Sequence, residues 1–378
     1  MPTQTESSDP AIRSEIEFGL NLLRQQILSK PLVLSPFSIS LCVSLLHAAS
    51  TGKTRDEIRE ALLRGSTDEK FEEYFSNLLK TVSDVPPGID VNIANHVFCL
   101  KDYPIKKSYL DTVKKLYNAG ATALDFSDKV NSADVMNKFV AEATKGHITN
   151  IITPEQFEKD LAAVFTNALY FKADWYAKFE AFRTRKQDFY TSTESKRSID
   201  FMHQSCGDGI YSENDQFEML RLAYRNISYD ESSFAMNIFL PKARCGLKDA
   251  MFTLTAARLQ DLLTTTNREY CNVTIPKWKI ETNINLNDAL QATGIKLAFD
   301  IENEEFRQLA ENTHGISEVA HSAMIEVDEE GTTASACTRI RFRGGGYPPP
   351  KIIDFVADHP FLFVLTKDIH PIFMGIYC

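Results

Sequence analysis

The run AAVFTNALYF, Ala162 to Phe171, is apolar at both parities except at Thr166 and Asn167. A strand of this kind is buried on both faces, so layers must pack above and below it. Upstream, apolar residues recur at helical spacing over Ile16–Ile27, from Ser35 with Pro36 in the first turn, and over Thr54–Leu63, Asp68–Val82, Lys106–Tyr117 and Ser132–Lys145, the last closed by Gly146. Val91–Leu100 alternates like a strand. Downstream, short β-like runs dominate: Glu218–Leu222, Phe234–Leu240, Val273–Ile275, Met324–Val327, Ile352–Val356, Phe361–Leu365 and Pro371–Ile376. Helical stretches interrupt them at Leu247–Thr253, Ala257–Thr264 and Leu286–Ala292. Helices first and strands second predict an α+β fold. No repeat and no Pro/Gly/Ser linker divides the chain. Residues 1–10 read as disordered and 11–378 as one domain.

The chain has 378 residues, with 41 Lys+Arg against 51 Asp+Glu, a formal charge of −10. An acidic chain repels phosphate backbones, so nucleic acid is not an expected partner. No apolar run approaches the ~18 residues of a membrane span, so no membrane partner is expected either. MPTQTESSDP has no basic start and no apolar run, so no secretory signal is visible. The seven cysteines (42, 99, 206, 245, 271, 337, 378) are widely spaced without a C-x-x-C. They read as free thiols of a reducing compartment. The sequons at Asn226 and Asn272 then read as chance matches. The expected location is the cytoplasm, or outside the cell by unconventional release.

Signatures of catalysis are missing: G-x-S-x-G, H-E-x-x-H and G-x-G-x-x-G do not occur. Gly52-Lys53-Thr54 resembles the end of a phosphate-binding loop, but His47 stands where its upstream glycine is required. The eight histidines lack metal-ligand spacing. No enzyme, cofactor or metal is expected.

The segment GTTASACTRIRFRGGGYPPPK, Gly331 to Lys351, lies between two strand-like runs. A loop of this length in a compact domain is usually functional. At period two, one face holds Thr332, Ala334, Ala336, Thr338, Ile340 and Phe342. The other holds Thr333, Ser335, Cys337, Arg339, Arg341 and Arg343. The pattern is that of a half-buried strand, while the flanking GTT and GGG are those of a loop. Two alternative states fit it, and so does an ordinary surface hairpin with a polar tip.

Several motifs resemble one family. EVDEEGTTASA at 326–336 is similar to the hinge before the reactive loop of serpins, ADHPFLFVL at 357–365 to the signature after it, and PIFMG at 371–375 to the last strand. LSPFSIS, VNIANHVF, YNAGATALDF, FTNALYFKADW and IPKWKIE follow the same family in order. The form without a signal most resembles the intracellular, ovalbumin-type serpins. The resemblance implies a five-stranded central sheet, two further sheets, eight or nine helices and an exposed reactive-centre loop at about 331–351. It implies a metastable monomer that traps a protease as a covalent acyl-enzyme while the cleaved loop inserts into the central sheet.

Carried over by motif, the hinge is Glu329, Gly331, Thr332, Ala334 and Ala336. Gly331 gives the backbone freedom to turn, and Thr332 enters the sheet first, so it must be small and uncharged. Thr338, Ile340 and Phe342 complete the inserted face. The shutter beneath the sheet would be Ser35, Ser38, Asn167 and His321; the breach at its top would be Trp175 with a Lys277–Glu329 ion pair, worth ~0–1 kcal/mol if exposed. Departures from the family pattern are Pro31, Ala223, the stretch IENEEFRQLAENT and Cys337.

Counting 17 residues inclusively from Glu329 puts the reactive bond between Gly345 and Gly346. Side-chain chemistry favours Arg343–Gly344, which suits trypsin-like serine proteases or, through Phe342-Arg343, papain-like cysteine proteases of cathepsin L type. Cleavage at Arg343 leaves the strand two residues, about 7 Å, shorter. The competing reading is a non-inhibitory carrier, chaperone or storage serpin. Small hinge residues argue against it.

Overall fold

The computed structural model describes residues 9–157, 162–225, 234–265, 267–300, 302–311, 315–331 and 352–378, without the side chains of 206–208. The amino-terminal half holds α1 (Pro10–Arg24), β1 (Leu32–Leu34), α2 (Pro36–Ala49), α3 (Gly52–Leu62), α4 (Asp68–Ser83), β2 (Ile89–Leu100), α5 (Lys107–Tyr117), β3 (Gly120–Leu124) and α6 (Lys129–Ala143). Then come β4 (Ala163–Ala173), β5 (Arg185–Tyr190), β6 (Lys196–Glu213), β7 (Phe217–Ala223), β8 (Phe234–Pro241), α7 (Leu247–Thr253) and α8 (Ala256–Leu263). The chain closes with β9 (Arg268–Pro276), β10 (Trp278–Asn285), α9 (Asn287–Ala292), β11 (Glu318–Val327), β12 (Ile352–Val356), β13 (Phe361–Lys367) and β14 (His370–Tyr377). Helix α1 begins at Pro10, within the stretch read as disordered. Asp9 starts it by accepting from Ala11 N at 2.8 Å.

The central sheet has five strands in the order β10-β11-β4-β2-β3. Strands β11 and β4 run parallel, as do β2 and β3; the other neighbours are antiparallel. Strand β4 is buried on both faces, as its sequence requires. Ala163, Phe165, Leu169 and Phe171 face the main core. Val164, Ala168 and Tyr170 face the opposite way, against Met136 and Val140 of α6. Helix α2 is buried over its whole length and touches β2 and β4 on one side and β14 on the other. That position explains why its sequence is apolar all round.

The second sheet runs β1-β14-β13-β8-β7-β6-β9-β12, with β5 also on β6. It bends where the β6–β9 register shifts between Gln204 and Gly207. The two further sheets expected thus occur as two limbs of one continuous nine-stranded sheet. The described residues contain nine α-helices, within the range expected.

Candidate functional site

Three neighbouring strands each carry one polar residue in the face that packs on α2. Reading alternate positions, β2 gives Ile93, Asn95 and Val97, β4 gives Phe165, Asn167 and Leu169, and β11 gives Val319, His321 and Ala323. The register puts His321 opposite Asn167, and Asn167 opposite Asn95. Ser35 supplies the cap of α2, its Oγ accepting from Ser38 N at 3.1 Å. The same hydroxyl donates to Ile372 O at 2.7 Å. Ser35 N donates to His321 Nε2 at 3.2 Å, which leaves the imidazole proton on Nδ1. That Nδ1 donates to Asn167 Oδ1 at 2.5 Å, and Ser38 Oγ donates to the same oxygen at 2.8 Å. Asn167 Nδ2 donates to Ser38 O at 2.9 Å and to Asn95 Oδ1 at 2.5 Å. Burial pushes His321 down to about 3, so the ring is neutral. The network therefore ties α2, β11, β4 and β2 together with the partners of a buried polar group in place. Asn95 is a member that motif reasoning missed. Its signal was visible as a polar residue interrupting the apolar parity of β2.

At the other end of β4 the chain turns back over the tip of β11. Trp175 is buried, stacks on Tyr224 with centroids 4.4 Å apart, and donates from Nε1 to Asp328 O at 2.8 Å. Trp175 N donates to Glu330 O, and Phe179 N to Glu329 O at 3.0 Å. Glu329 and Lys277 pair at 2.6 Å, with Thr184 Oγ1 donating to the other carboxylate oxygen at 2.5 Å. The pair is buried at its carboxylate end, where Glu329 is only 9% exposed, and open at the Lys277 side chain, which is 38% exposed. Burial works against the Glu329 charge, and the Lys277 and Thr184 hydrogen bonds outweigh it, leaving the carboxyl below its ordinary value. A second clasp joins Lys178 to Glu330 at 2.9 Å and to Asp174 at 3.6 Å. Thr184, Lys178, Tyr224 and Asp328 were not anticipated. They lie in irregular chain or at strand ends, where no periodicity marks a contact.

Gly331 ends this wrap with φ 79°. A Cβ here would lie 2.1 Å from Trp175 N and 2.7 Å from Ala173 O. The glycine is thus required by its positive φ and by close backbone approach. Between β11 and β4, pairing runs from Glu318–Val164 to Met324–Tyr170, and both strands continue three residues further. Thr332, Ala334, Ala336, Thr338, Ile340, Phe342, Arg343, Gly344, Gly345 and Gly346 lie outside the described residues.

Two minor motifs are also placed. The amino terminus of α3 at Gly52-Lys53-Thr54 is occupied by Glu305. Its carboxylate accepts from Lys53 N at 3.2 Å and from Thr54 N and Oγ1, both at 2.7 Å. An internal carboxylate fills the position a phosphate would take. The Asn272 sequon lies within β9, its amide donating to Asp354 Oδ1 at 2.7 Å.

The family model for Serpin (serine protease inhibitor) matches residues 13–378. This chain belongs to the serpin family. Serpin-Z1C of Triticum aestivum is 32% identical over 354 residues, covering 91% of this serpin and 88% of that protein. Ipis-1 of Ixodes persulcatus is 31% identical over 335 residues, covering 88% and 87% of the two chains. Among solved structures, Serpin48 of Tenebrio molitor superposes with a TM-score of 0.85 at 26% identity, covering 100% of this serpin and 99% of that chain. Arabidopsis AtSerpin1 in its native stressed conformation gives 0.86 at 25% identity, covering 100% and 98%. The polar row and the wrap at Trp175 bring together the residues that the resemblance named as shutter and breach. The family is one of protease inhibitors rather than catalysts.

Proposed function

We propose that this serpin inhibits serine proteases as a suicide substrate, its nicked loop becoming a sixth strand between β11 and β4. The parallel pairing of β11 with β4 carries the reading. A chain that leaves β11, reverses at Gly331 and returns along it runs antiparallel to both neighbours at once. It can take ladder bonds from each side. The five-stranded sheet and the likeness to AtSerpin1 in its native stressed conformation support a loop not yet inserted.

In this reading the protease nucleophile attacks the carbonyl of residue 343 or 345. The acyl bond forms, and the amine of residue 344 or 346 leaves as a new amino terminus. About 14 inserted residues then carry the enzyme ~45 Å along the sheet before water can release it. Arg343 selects trypsin-like enzymes, with cathepsin L-like cysteine proteases as a cross-class target; Gly345 is the position favoured by loop length. Incubation with trypsin, elastase and a cathepsin L-type enzyme tests both points. An SDS-resistant complex is expected with at least one, and the released peptide identifies the bond, 344–378 for Arg343 or 346–378 for Gly345. Cleaved serpin without complex across the whole panel refutes inhibition.

A further inference from the structure

A carboxylate interrupts the apolar stripe of α1. The buried positions there run Ile12, Glu15, Ile16, Gly19, Leu22 and Leu23, and Glu15 is 5% exposed. A carboxylate in such a row needs donors to offset its lost hydration. Two other elements supply them. From α4, the Tyr74 hydroxyl donates to Glu15 Oε1. From the start of β14, His370 Nδ1 donates to both carboxylate oxygens, at 3.0 Å to Oε2 and 3.2 Å to Oε1. Glu15 thus joins residues 59 and 355 positions away from it.

The position of His370 is fixed by the hairpin that carries it. The β13–β14 ladder closes at the pair Lys367 and His370, leaving Asp368 and Ile369 as a two-residue turn, with Asp368 at φ 56°. Charged and titratable groups reach the ring from every side: Asp9 and Glu15 of α1, Tyr74 of α4, and Lys367 and Asp368 at the turn. Lys367 lies over the Phe234 ring at 4.7 Å. Burial works against the His370 charge, and Glu15, followed by Asp368 and Asp9, outweighs it, so the imidazole lies above its ordinary 6.5. Burial beside Glu15 pushes the Tyr74 hydroxyl up, so Tyr74 stays a donor. His370 is therefore the member of the cluster that changes charge near neutral pH. Among the described residues, His47, His96, His203 and His321 are displaced the opposite way.

We propose that Glu15, Tyr74 and His370 form a pH-sensitive clasp: with His370 protonated it fastens α1 and α4 to the β13–β14 turn, and loss of that proton above neutral pH loosens α4. The proton leaves for water, and the neutral ring sets no charge against the buried carboxylate. A buried carboxylate without its cation is costly, and hydration reaches it when one wall of the cluster opens. Helix α1 packs chiefly on α2, α3, α8 and β14, whereas α4 packs chiefly on α2 and α5. The helix with fewer supports opens first. The stability that His370 supplies is whole below pH 6.5 and is lost as pH rises through its raised value, the reverse of the lowered histidines.

The ring signals of His370, assigned by their loss in His370→Gln, are expected to titrate above pH 6.5 in the intact serpin and at a lower pH in Glu15→Gln. Urea midpoints of wild type and His370→Gln should differ most at pH 6 and draw together by pH 8, a range kept below the ordinary cysteine value of ~8.5. Amide exchange in α4 should be faster in His370→Gln than in wild type at pH 6, and that ratio should shrink by pH 8. Each pH unit by which the ring titrates above 6.5 corresponds to about a tenfold change in the ratio. Exchange in α6, on the far face of the central sheet, should not respond. Glu15→Gln keeps the size and hydrogen bonding of the site and should show the same narrowing of midpoints, so a His370→Gln chain that fails to fold leaves the test intact. Titration of His370 at or below 6.5, a midpoint difference that does not vary with pH, or an equal response in α6 overturns the clasp.

Discussion

His321 Nδ1 lies 2.5 Å from Asn167 Oδ1, joining β11 to β4 at the middle of their parallel ladder. The bond crosses the seam where the proposed sixth strand would enter. It cannot persist once a strand separates the two side chains. In the proposed mechanism this row acts as a lock whose strength depends on one neutral imidazole accepting from Ser35 and donating to Asn167.

His321→Ala leaves the Ser35 N–H and part of Asn167 buried without partners. Each such group costs about 1–3 kcal/mol. The first unfolding transition in urea should move to lower denaturant at pH 7, and native serpin should lose inhibitory capacity faster on warming. A midpoint equal to wild type would show that the lock carries no load. The same histidine sets an acid limit. Burial holds His321 at about 3 and, as the largest cause, His47 and His96 at about 4, against an ordinary value of 6.5. Groups with depressed folded values bind protons more readily when unfolded. The stability they support is whole above pH 6.5 and falls as pH drops towards 4, by up to ~1.4 kcal/mol per pH unit for each group. Urea midpoints between pH 7 and pH 4.5 should decline, and His321→Ala should flatten part of that slope.

How far the sequence discloses this arrangement depends on which residues repeat with a period. The central strand from Ala162 and the fully apolar α2 were readable because burial on all sides leaves few polar residues. The half-exposed β5, β6 and β10, and the short β1 and β3, were not read as strands. Strand β10 alternates buried and exposed residues over most of its length, so it had a signal, but one diluted by its lysine, glutamate and asparagines. Strand β6 mixes charged, small and apolar residues through a bend. The grouping of Ser35, Ser38, Asn167 and His321 was readable through motif order, whereas the contacts of Thr184 and Lys178 depend on how irregular chain wraps around Trp175. Glu305 capping Thr54 joins positions 251 residues apart, beyond the reach of local pattern.

Gly331→Ala tests the close approach at the hinge. A methyl group would collide with Trp175 N and Ala173 O, and the residue would have to keep φ 79°. Strain of this kind costs about 1–3 kcal/mol. The wrap from Asp328 to Gly331 should loosen, seen as a red-shifted, more quenchable Trp175 fluorescence against a Trp278 reference. Unaltered emission and stability would mean that the hinge tolerates a side chain here.

Lys277→Met addresses the breach pair. Because Glu329 is buried, removing its cation strands a charge held only by Thr184 and the main chain. The loss should exceed the ~0–1 kcal/mol of an exposed pair. In the wild type the Glu329 value is depressed, so its contribution is present above the ordinary 4.5 and is lost as pH falls. Without Lys277 the burial that raises Glu329 is no longer opposed by the cation, so this loss on acidification shrinks or reverses, and the variant's deficit should be larger at pH 7 than at pH 5. Unfolding midpoints of wild type and variant at pH 7 and pH 5 decide it. Parallel shifts at both values would contradict the assignment.

Thr332→Arg separates insertion from recognition. Thr332 is the first residue after Gly331, and in the proposed mechanism it must pass between β11 and β4 before any other. A guanidinium entering that seam unpaired is opposed by several kcal/mol. Each ~1.4 kcal/mol added to the insertion barrier slows it tenfold relative to deacylation. The reactive bond lies more than ten residues away, so the protease still binds and acylates. The expected result is cleaved serpin and active enzyme where wild type gives complex, with cleavage at the same bond. Wild-type serpin nicked by a non-target protease should melt at a markedly higher temperature than the intact protein, because in the proposed mechanism the intact form is held by a barrier rather than by depth of stability. Nicked Thr332→Arg should show less of that gain. If the variant traps enzyme at wild-type stoichiometry, the loop does not enter the sheet by its amino-terminal end and the mechanism proposed here is wrong.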